Sequence, residues 1–264
     1  MDYLDTKTIA RQLFRVSPLK QRKMRMLEAQ MDDPQGKVSL DLGSDNGVIS
    51  LLLRDRGGVW HSADLIPETV EAIRDLVGDR VDRVDGARLP YHDQQFDQVL
   101  VVDLLEHVLD DALLVQEIAR VLKPSGTVVL NVPNPKEGIV RKIRYMLGQT
   151  DAAHGHLRAG YTEEALRSLL GENFQVERVV SYSRVFSNVV DAIIVGALSI
   201  LKSGSRGKKG TVVSARDLAK QKKSFALFTL IAPLLRCCVA LDACVPWMHG
   251  DMLILRAKRC SSKG

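Results

Sequence analysis

The stretch Asp41-Leu42-Gly43-Ser44-Asp45-Asn46-Gly47 brings two glycines and two carboxylates together, after a short apolar run (VSLDL) and before a helical one (NGVISLLLRDR). Glycines at such a junction let a ligand approach the main chain closely, because no Cβ stands in the way. Asp64 follows 21 residues after Gly43, at the end of a second apolar run. A carboxylate there can accept both hydroxyls of a ribose. A third acid, Asp85 in VDGARLP, closes a third such run. Acids at the ends of successive parallel strands converge on the crevice where open α/β sheets bind ligands. A dinucleotide would call for Gly-x-Gly-x-x-Gly, which delivers N–H groups to a pyrophosphate. Here Asp41 and Asp45 crowd the loop instead. Negative charge suits a cationic nucleoside that carries no phosphate.

The elements that must hold these residues alternate in type. Strands are predicted at VSLDL, VWHSADL, Val81–Val84, Phe96–Val102 and Thr127–Val132, the last after a KPSG turn. Helices are predicted at NGVISLLLRDR, Pro67–Leu76 and Asp110–Leu122. Strands separated by helices of 10–13 residues imply βαβ units and a mostly parallel sheet, with helices on both faces: an α/β, Rossmann-like fold. A helix at Glu163–Leu170 and strands at Phe174–Tyr182 and Met252–Ala257 complete the pattern. Four segments follow: a basic helical stretch 1–36, a ligand-binding core 37–182, a largely helical insertion 183–250, and a last strand with its tail, 251–264.

The runs DLGSDNG, SADL, VDGARLP, FDQVLVVDLLEHV, RVLKPSG and NVPNP occur in that order. Together they resemble class I S-adenosylmethionine-dependent methyltransferases, and most of all the group that includes the quinone-biosynthesis methyltransferases. The resemblance covers about residues 37–182 and implies S-adenosyl-L-methionine as cofactor. It implies that Asp41 and the loop Gly43, Ser44 and Gly47 hold the methionine moiety. Asp64, with Leu65 beside it, would hold the ribose, and Asp85 and Gly86 would lie at the adenine. Asp103, just after the fourth strand, would close the site. The family's loop carries a middle glycine where this chain has Asp45.

Methyl transfer from a sulfonium needs alignment and the exclusion of water, and an oxygen acceptor also needs a base near its proton. His107 in LLEHV and His154 and His156 in HGHLRAGY are the candidates, with His156 the first choice. Glu106 and His107 are expected to face the site. Two chemistries are argued down. An N-P-P-Y-type segment for exocyclic base amines is lacking after the fourth strand, and no cysteine lies near the site for C5 methylation of pyrimidines. No metal ligand set is read from the spacing of His, Cys, Asp and Glu.

The composition is that of a globular chain: 264 residues, 45% apolar, 26% charged and 5% aromatic. Few aromatics speak against a base-stacking surface, and nucleic acid is not an expected partner. No apolar leader opens the sequence and no window reaches the ~18 apolar residues of a spanning helix, so a cytoplasmic protein is expected. Four cysteines, all within the last 28 residues, are expected as free thiols. The net charge of +5 is unevenly placed: residues 183–250 hold ten basic residues against three acids. That leaves the rest of the chain slightly acidic. Apolar segments near Val189–Leu201 and Phe225–Leu235 flank the basic linker. Such a pattern suits peripheral contact with an anionic membrane surface, or two packed helices with a solvated loop. The reading is a methyltransferase for a small or lipid-linked acceptor, with oxygen the expected acceptor atom. Two rivals are an RNA or protein methyltransferase and a non-catalytic nucleoside-binding regulator.

Overall fold

The computed structural model describes residues 6–44, 46–86, 88–135, 157–190 and 222–260, with the backbone alone for 222–228. Its centre is a seven-stranded sheet in the order β3-β2-β1-β4-β5-β7-β6. The strands are β1 (Val38–Leu42), β2 (Val59–Asp64), β3 (Val81–Arg83), β4 (Phe96–Val102), β5 (Leu122–Pro133), β6 (Phe174–Tyr182) and β7 (Met252–Arg259). The first five run parallel, and β7 lies antiparallel between β5 and β6. β4 sits at the middle of the sheet, and its last five residues are all buried. That accounts for its continuous apolar run FDQVLVV, since both of its faces are covered.

Local signals set the helix ends. α1 (Thr6–Arg15) leads into α2 (Pro18–Glu28), where Ser17 precedes a proline at the first helical position. Proline fits there because its missing N–H would have had no partner. α3 (Val48–Arg54) follows the glycine loop, and α4 (Pro67–Val77) repeats the proline start. α5 (Asp111–Val121) is capped by Asp110, whose carboxylate accepts the Leu113 N–H at 2.9 Å. α6 (Glu163–Leu170) is capped by Thr162, whose hydroxyl accepts the Ala165 N–H at 3.2 Å. Such caps occupy donors that a helix start leaves open. The KPSG turn lies within β5 as an outward loop: the register against β4 passes from Phe96↔Leu122 directly to Gln98↔Thr127.

The basic N-terminal helices are not a separate body. Ala10 of α1 joins Val48, Leu51 and Leu76 in one cluster, while Met24 and Leu27 of α2 join Trp60, Leu100 and Tyr182. Of the insertion, 185–190 is helical, and α7 (Lys222–Ala240) contains Pro233 and ends in a short turn, Leu241–Cys244. Leu235 and Val239 of α7 pack with Val190 and with Leu19 of α2. The linker with most of the basic residues and most of the Val189–Leu201 segment lie outside the described residues. The insertion leaves and rejoins the sheet at one place: Tyr182 pairs with Met252, and the Asp251 N–H donates to the Ser183 carbonyl at 3.0 Å.

Asp242 fastens the two arms of that insertion. Fully buried, it accepts N–H groups from Arg184 at 2.8 Å and Phe186 at 3.0 Å, and the Ser187 hydroxyl at 2.6 Å. Removing it strands several buried donors at once. Asp242→Ala is therefore expected to cost about 3 kcal/mol and lower the melting midpoint by about 6–10 °C. A thermal melt of the purified variant checks this; an unchanged midpoint contradicts it.

Candidate active site

The strand order reverses between β1 and β4, so a crevice opens beyond their carboxyl ends. Four carboxylates stand at the ends of four adjacent strands: Asp41 in β1, Asp64 closing β2, Asp85 shortly after β3 and Asp103 directly after β4. Asp41 lies beneath the crevice, fully buried. It accepts the hydroxyls of Ser44, of Ser50 at 2.6 Å and of Ser62 at 3.3 Å. Burial pushes its carboxyl above the usual carboxylate range, although those three hydroxyls pull the other way. Asp41 thus holds the loop from below. Gly43 and Gly47 both have positive φ, at 83° and 79°. A Cβ on Gly43 would stand 2.6 Å from the Val102 carbonyl oxygen, so only glycine lets the loop press against the end of β4.

Asp64 is 6% exposed, and one of its oxygens accepts the Ile66 N–H at 2.9 Å, which turns the chain into α4. Asp85 is exposed and accepts the Arg88 N–H at 3.2 Å. Gly86, at φ 84°, lies between two apolar side chains: a Cβ there would meet Val108 at 3.2 Å and Leu65 at 3.4 Å. The ends of β2, β3 and β4 therefore meet at a narrow apolar edge.

Asp103 has a left-handed backbone, φ 49°, held by its N–H donating to the Asn131 carbonyl at 2.9 Å. Its carboxylate accepts the Asn131 amide at 2.6 Å and pairs with the Lys23 ammonium from α2. The Tyr182 hydroxyl donates to the Asn131 side-chain oxygen at 2.6 Å, which extends the chain of contacts to β6. Three residues further on, Glu106 is 1% exposed and its Oε2 has no hydrogen-bond partner among the described residues. Burial first, and the charge of Asp103 second, push its carboxyl up to about 8, while Lys23 and Arg158 oppose the rise. His107, next along, is half-buried.

Residues 157–161 form a wall against this corner. The Leu157 N–H donates to the Glu106 carbonyl at 2.8 Å, and the Tyr161 N–H to the Pro133 carbonyl at 2.8 Å. Arg158 donates to Asp111, to the Tyr161 hydroxyl and to the Leu109 carbonyl, the last at 3.0 Å. His154 and His156 lie outside the described residues, whereas the LRAGY that follows them is this wall.

The structure therefore brings Asp41, Gly43, Ser44, Gly47, Asp64, Leu65, Asp85, Gly86, Asp103 and His107 to the crevice end of the sheet. It adds three residues that the sequence did not place there, Lys23, Asn131 and Tyr182, and gives Glu106, expected to face the site, a buried carboxyl. An acid inside the apolar run VVDLLEHV was the available signal for Glu106. Lys23 had none, because a basic stretch does not say which of its members meets a carboxylate 80 positions away. The donor set fits a cationic nucleoside: carboxylates end four strands, and the lysine beside them is already paired. An orphaned, buried carboxyl oxygen also marks a place where a ligand atom would complete the hydrogen bonding.

Residues 40–130 match the family described as "Methyltransferase domain". The chain is 31% identical over 126 residues to methyltransferase GfsG of Streptomyces halstedii, a match covering 44% of this chain and 45% of that protein. It is 28% identical over 166 residues to a ubiquinone biosynthesis O-methyltransferase of Idiomarina loihiensis, covering 59% of this chain and 67% of that one. The chain spans about half the length of the first curated relatives it matches. Other relatives that match as well are named only as methyltransferases, so the likeness is to the methyltransferase domain at large, with no specific link to the quinone-biosynthesis group. The phosphoethanolamine N-methyltransferase 2 of Haemonchus contortus, solved in complex with S-adenosyl-L-methionine, superposes with a TM-score of 0.56 at 16% identity. That superposition covers 91% of this chain and 53% of that one. A parallel sheet closed by an antiparallel β7, a glycine loop over a buried acid and the matched segment 40–130 give this chain the class I S-adenosylmethionine-dependent methyltransferase fold, with S-adenosyl-L-methionine the cofactor its crevice fits.

Proposed function

We propose that this chain is an enzyme that moves the methyl group of S-adenosyl-L-methionine to an oxygen of a small or lipid-linked acceptor. The observation that carries the oxygen reading is Glu106, a buried carboxyl beside residues 157–161, one oxygen of which has no hydrogen-bond partner among the described residues. When bound, the cofactor supplies a methyl group on a sulfonium, whose sulfur leaves as a neutral thioether. The chain supplies the rest. Asp64 receives the ribose hydroxyls, while Asp85, Gly86 and Leu65 border the base. The loop Gly43, Ser44 and Gly47, stiffened by Asp41, takes the methionine end, and Asp103 bounds the crevice. Residues 157–161 and α2 exclude water, which strengthens the electrostatics inside. Glu106 takes the acceptor's proton at Oε2, in place of His107 or His156, because its carboxyl titrates near neutral pH. The name of the ubiquinone relative, an O-methyltransferase, supports oxygen as the acceptor atom. The fold alone does not decide it.

No helix among the described residues is long and apolar enough to cross a membrane. A cytoplasmic enzyme with peripheral access to a membrane surface suits that reading. The test is transfer of label from the labelled cofactor into fractionated extracts. Label in small or lipid-linked products supports the proposal; label confined to RNA or protein overturns its acceptor class. No cofactor binding by calorimetry overturns the whole reading.

A further inference from the structure

α7 is apolar on both sides. Its inner face, with Ile231, Ala232, Leu235 and Val239, faces α2 and the 185–190 helix. Its outer face carries Leu230 at 79% exposure and Leu234 at 66%, one turn apart, and Leu241, at 44%, follows in the turn after the helix. Trp247, at 76%, and Met248 are also exposed, a few residues past the helix end. Between Thr229 and Cys244 no exposed residue is acidic: the one acid, Asp242, is buried beneath the turn. The one exposed charge in that span is Arg236. Beside Leu230 and Leu234, α1 and α7 enclose a groove of about 430 Å³ lined by Gln12, Arg15, Val16, Pro233 and Arg236. The Arg236 guanidinium donates to the Arg15 carbonyl, which places the two arginines together at the rim. Lys222 and Lys223 open the helix.

We propose that this outer face of α7, with the α1 rim, docks on an anionic lipid leaflet, Leu230, Leu234, Leu241 and Trp247 entering the interface and Arg15 and Arg236 meeting lipid phosphate. Charge complementarity selects this occupant. A leucine stripe beside two arginines, with an exposed tryptophan beyond the helix end, has the make-up of an interfacial helix. Tryptophan settles at the headgroup level, where one edge of the ring stays wet and the rest is buried. A second copy of this chain would bring its own Arg15 and Arg236 against these and repel. The inference deepens the lipid-linked side of the proposed function by naming the face that reaches the lipid. Docking needs no cofactor, so it is measured apart from methyl transfer.

The experiment uses the full chain with vesicles of phosphatidylcholine alone or of phosphatidylcholine and phosphatidylglycerol at 3:1. The wild type is expected to sediment with the anionic vesicles, with its tryptophan emission shifted to the blue. Leu230→Glu with Leu234→Glu is expected to weaken that binding at least tenfold. Arg15→Gln and Arg236→Gln are expected to weaken it about fivefold each, and only for anionic vesicles. Both leucines are exposed, and cofactor calorimetry reports whether each variant keeps its fold. Wild-type protein that stays in the supernatant overturns the proposal, as does a leucine variant that binds like wild type. A wild-type dimer that the leucine variant converts to monomer, without vesicle binding, assigns the face to a second copy and also overturns it. Absence of cofactor binding with vesicle binding intact would count against the enzyme reading alone.

Discussion

Glu106→Gln is expected to slow methyl transfer about 10²–10⁴-fold while cofactor affinity changes little. The substitution keeps the shape of the side chain and removes its ability to accept a proton at Oε2. In the wild type, kcat/KM should rise with pH toward about 8, as the buried carboxyl ionises, and the variant should lose that inflection. The same substitution has an opposite effect on stability. From about 4.5 to about 8 the unfolded chain has released this proton and the folded chain keeps it, so folding stability falls with rising pH across that window. Glutamine removes the dependence, and the variant should be more stable at pH 7 by about 2 kcal/mol. A slower enzyme that melts later is an outcome that unfolding cannot produce. His107→Gln is the control: if the large loss in rate falls there and Glu106→Gln is near wild type, the base is the histidine.

Asp64→Ala is expected to weaken cofactor binding about 10–100-fold by calorimetry, since each hydrogen bond to a charged group contributes about 1.5–3 kcal/mol. Part of that loss would come from the turn into α4, because Asp64 also accepts the Ile66 N–H. Asp64→Asn keeps an acceptor for that N–H and removes the charge, so it separates the two effects: it should restore the melting midpoint and leave binding impaired. Equal affinity in wild type and Asp64→Ala would remove the ribose assignment and, with it, the strongest reason for placing a nucleoside in this crevice.

Much of this site was legible because local rules govern it. Strand and helix texture over 37–132 follows from periodicity, and acids at strand ends become neighbours in any parallel sheet. Asp110 and Thr162 announce their helices as caps do anywhere. Other features depend on contacts between distant segments. Nothing in Met252–Arg259 says that it enters between β5 and β6 and runs antiparallel, because either edge would accept its apolar run MLIL. The KPSG turn reads as a boundary, yet the ladder continues on both sides of it and Leu122 belongs to the same strand as Thr127. The sequence offers candidate bases as the histidines of LLEHV and HGHLRAGY, a residue type whose unperturbed pKa lies near neutral pH. The carboxyl beside His107 reaches the same range through burial and the Asp103 charge, and neither is written in a five-residue motif. Lys23 shows the same limit from the other side: its partner is fixed by how α2 lies across the sheet.

The 3.0 Å hydrogen bond between Asp251 and Ser183 bears on how such a chain can change over generations. A segment whose two ends already touch can lengthen or shorten with little cost to the sheet that carries it, since the entropy of closing a loop rises by only about 0.6 kcal/mol per doubling of its length. Change in 184–250 can therefore leave the sheet as it is, so long as the contact of Leu235 and Val239 with Leu19 of α2 is kept. Grafting the equivalent segment of another sheet of this order at the Ser183–Asp251 junction should leave the strand order intact.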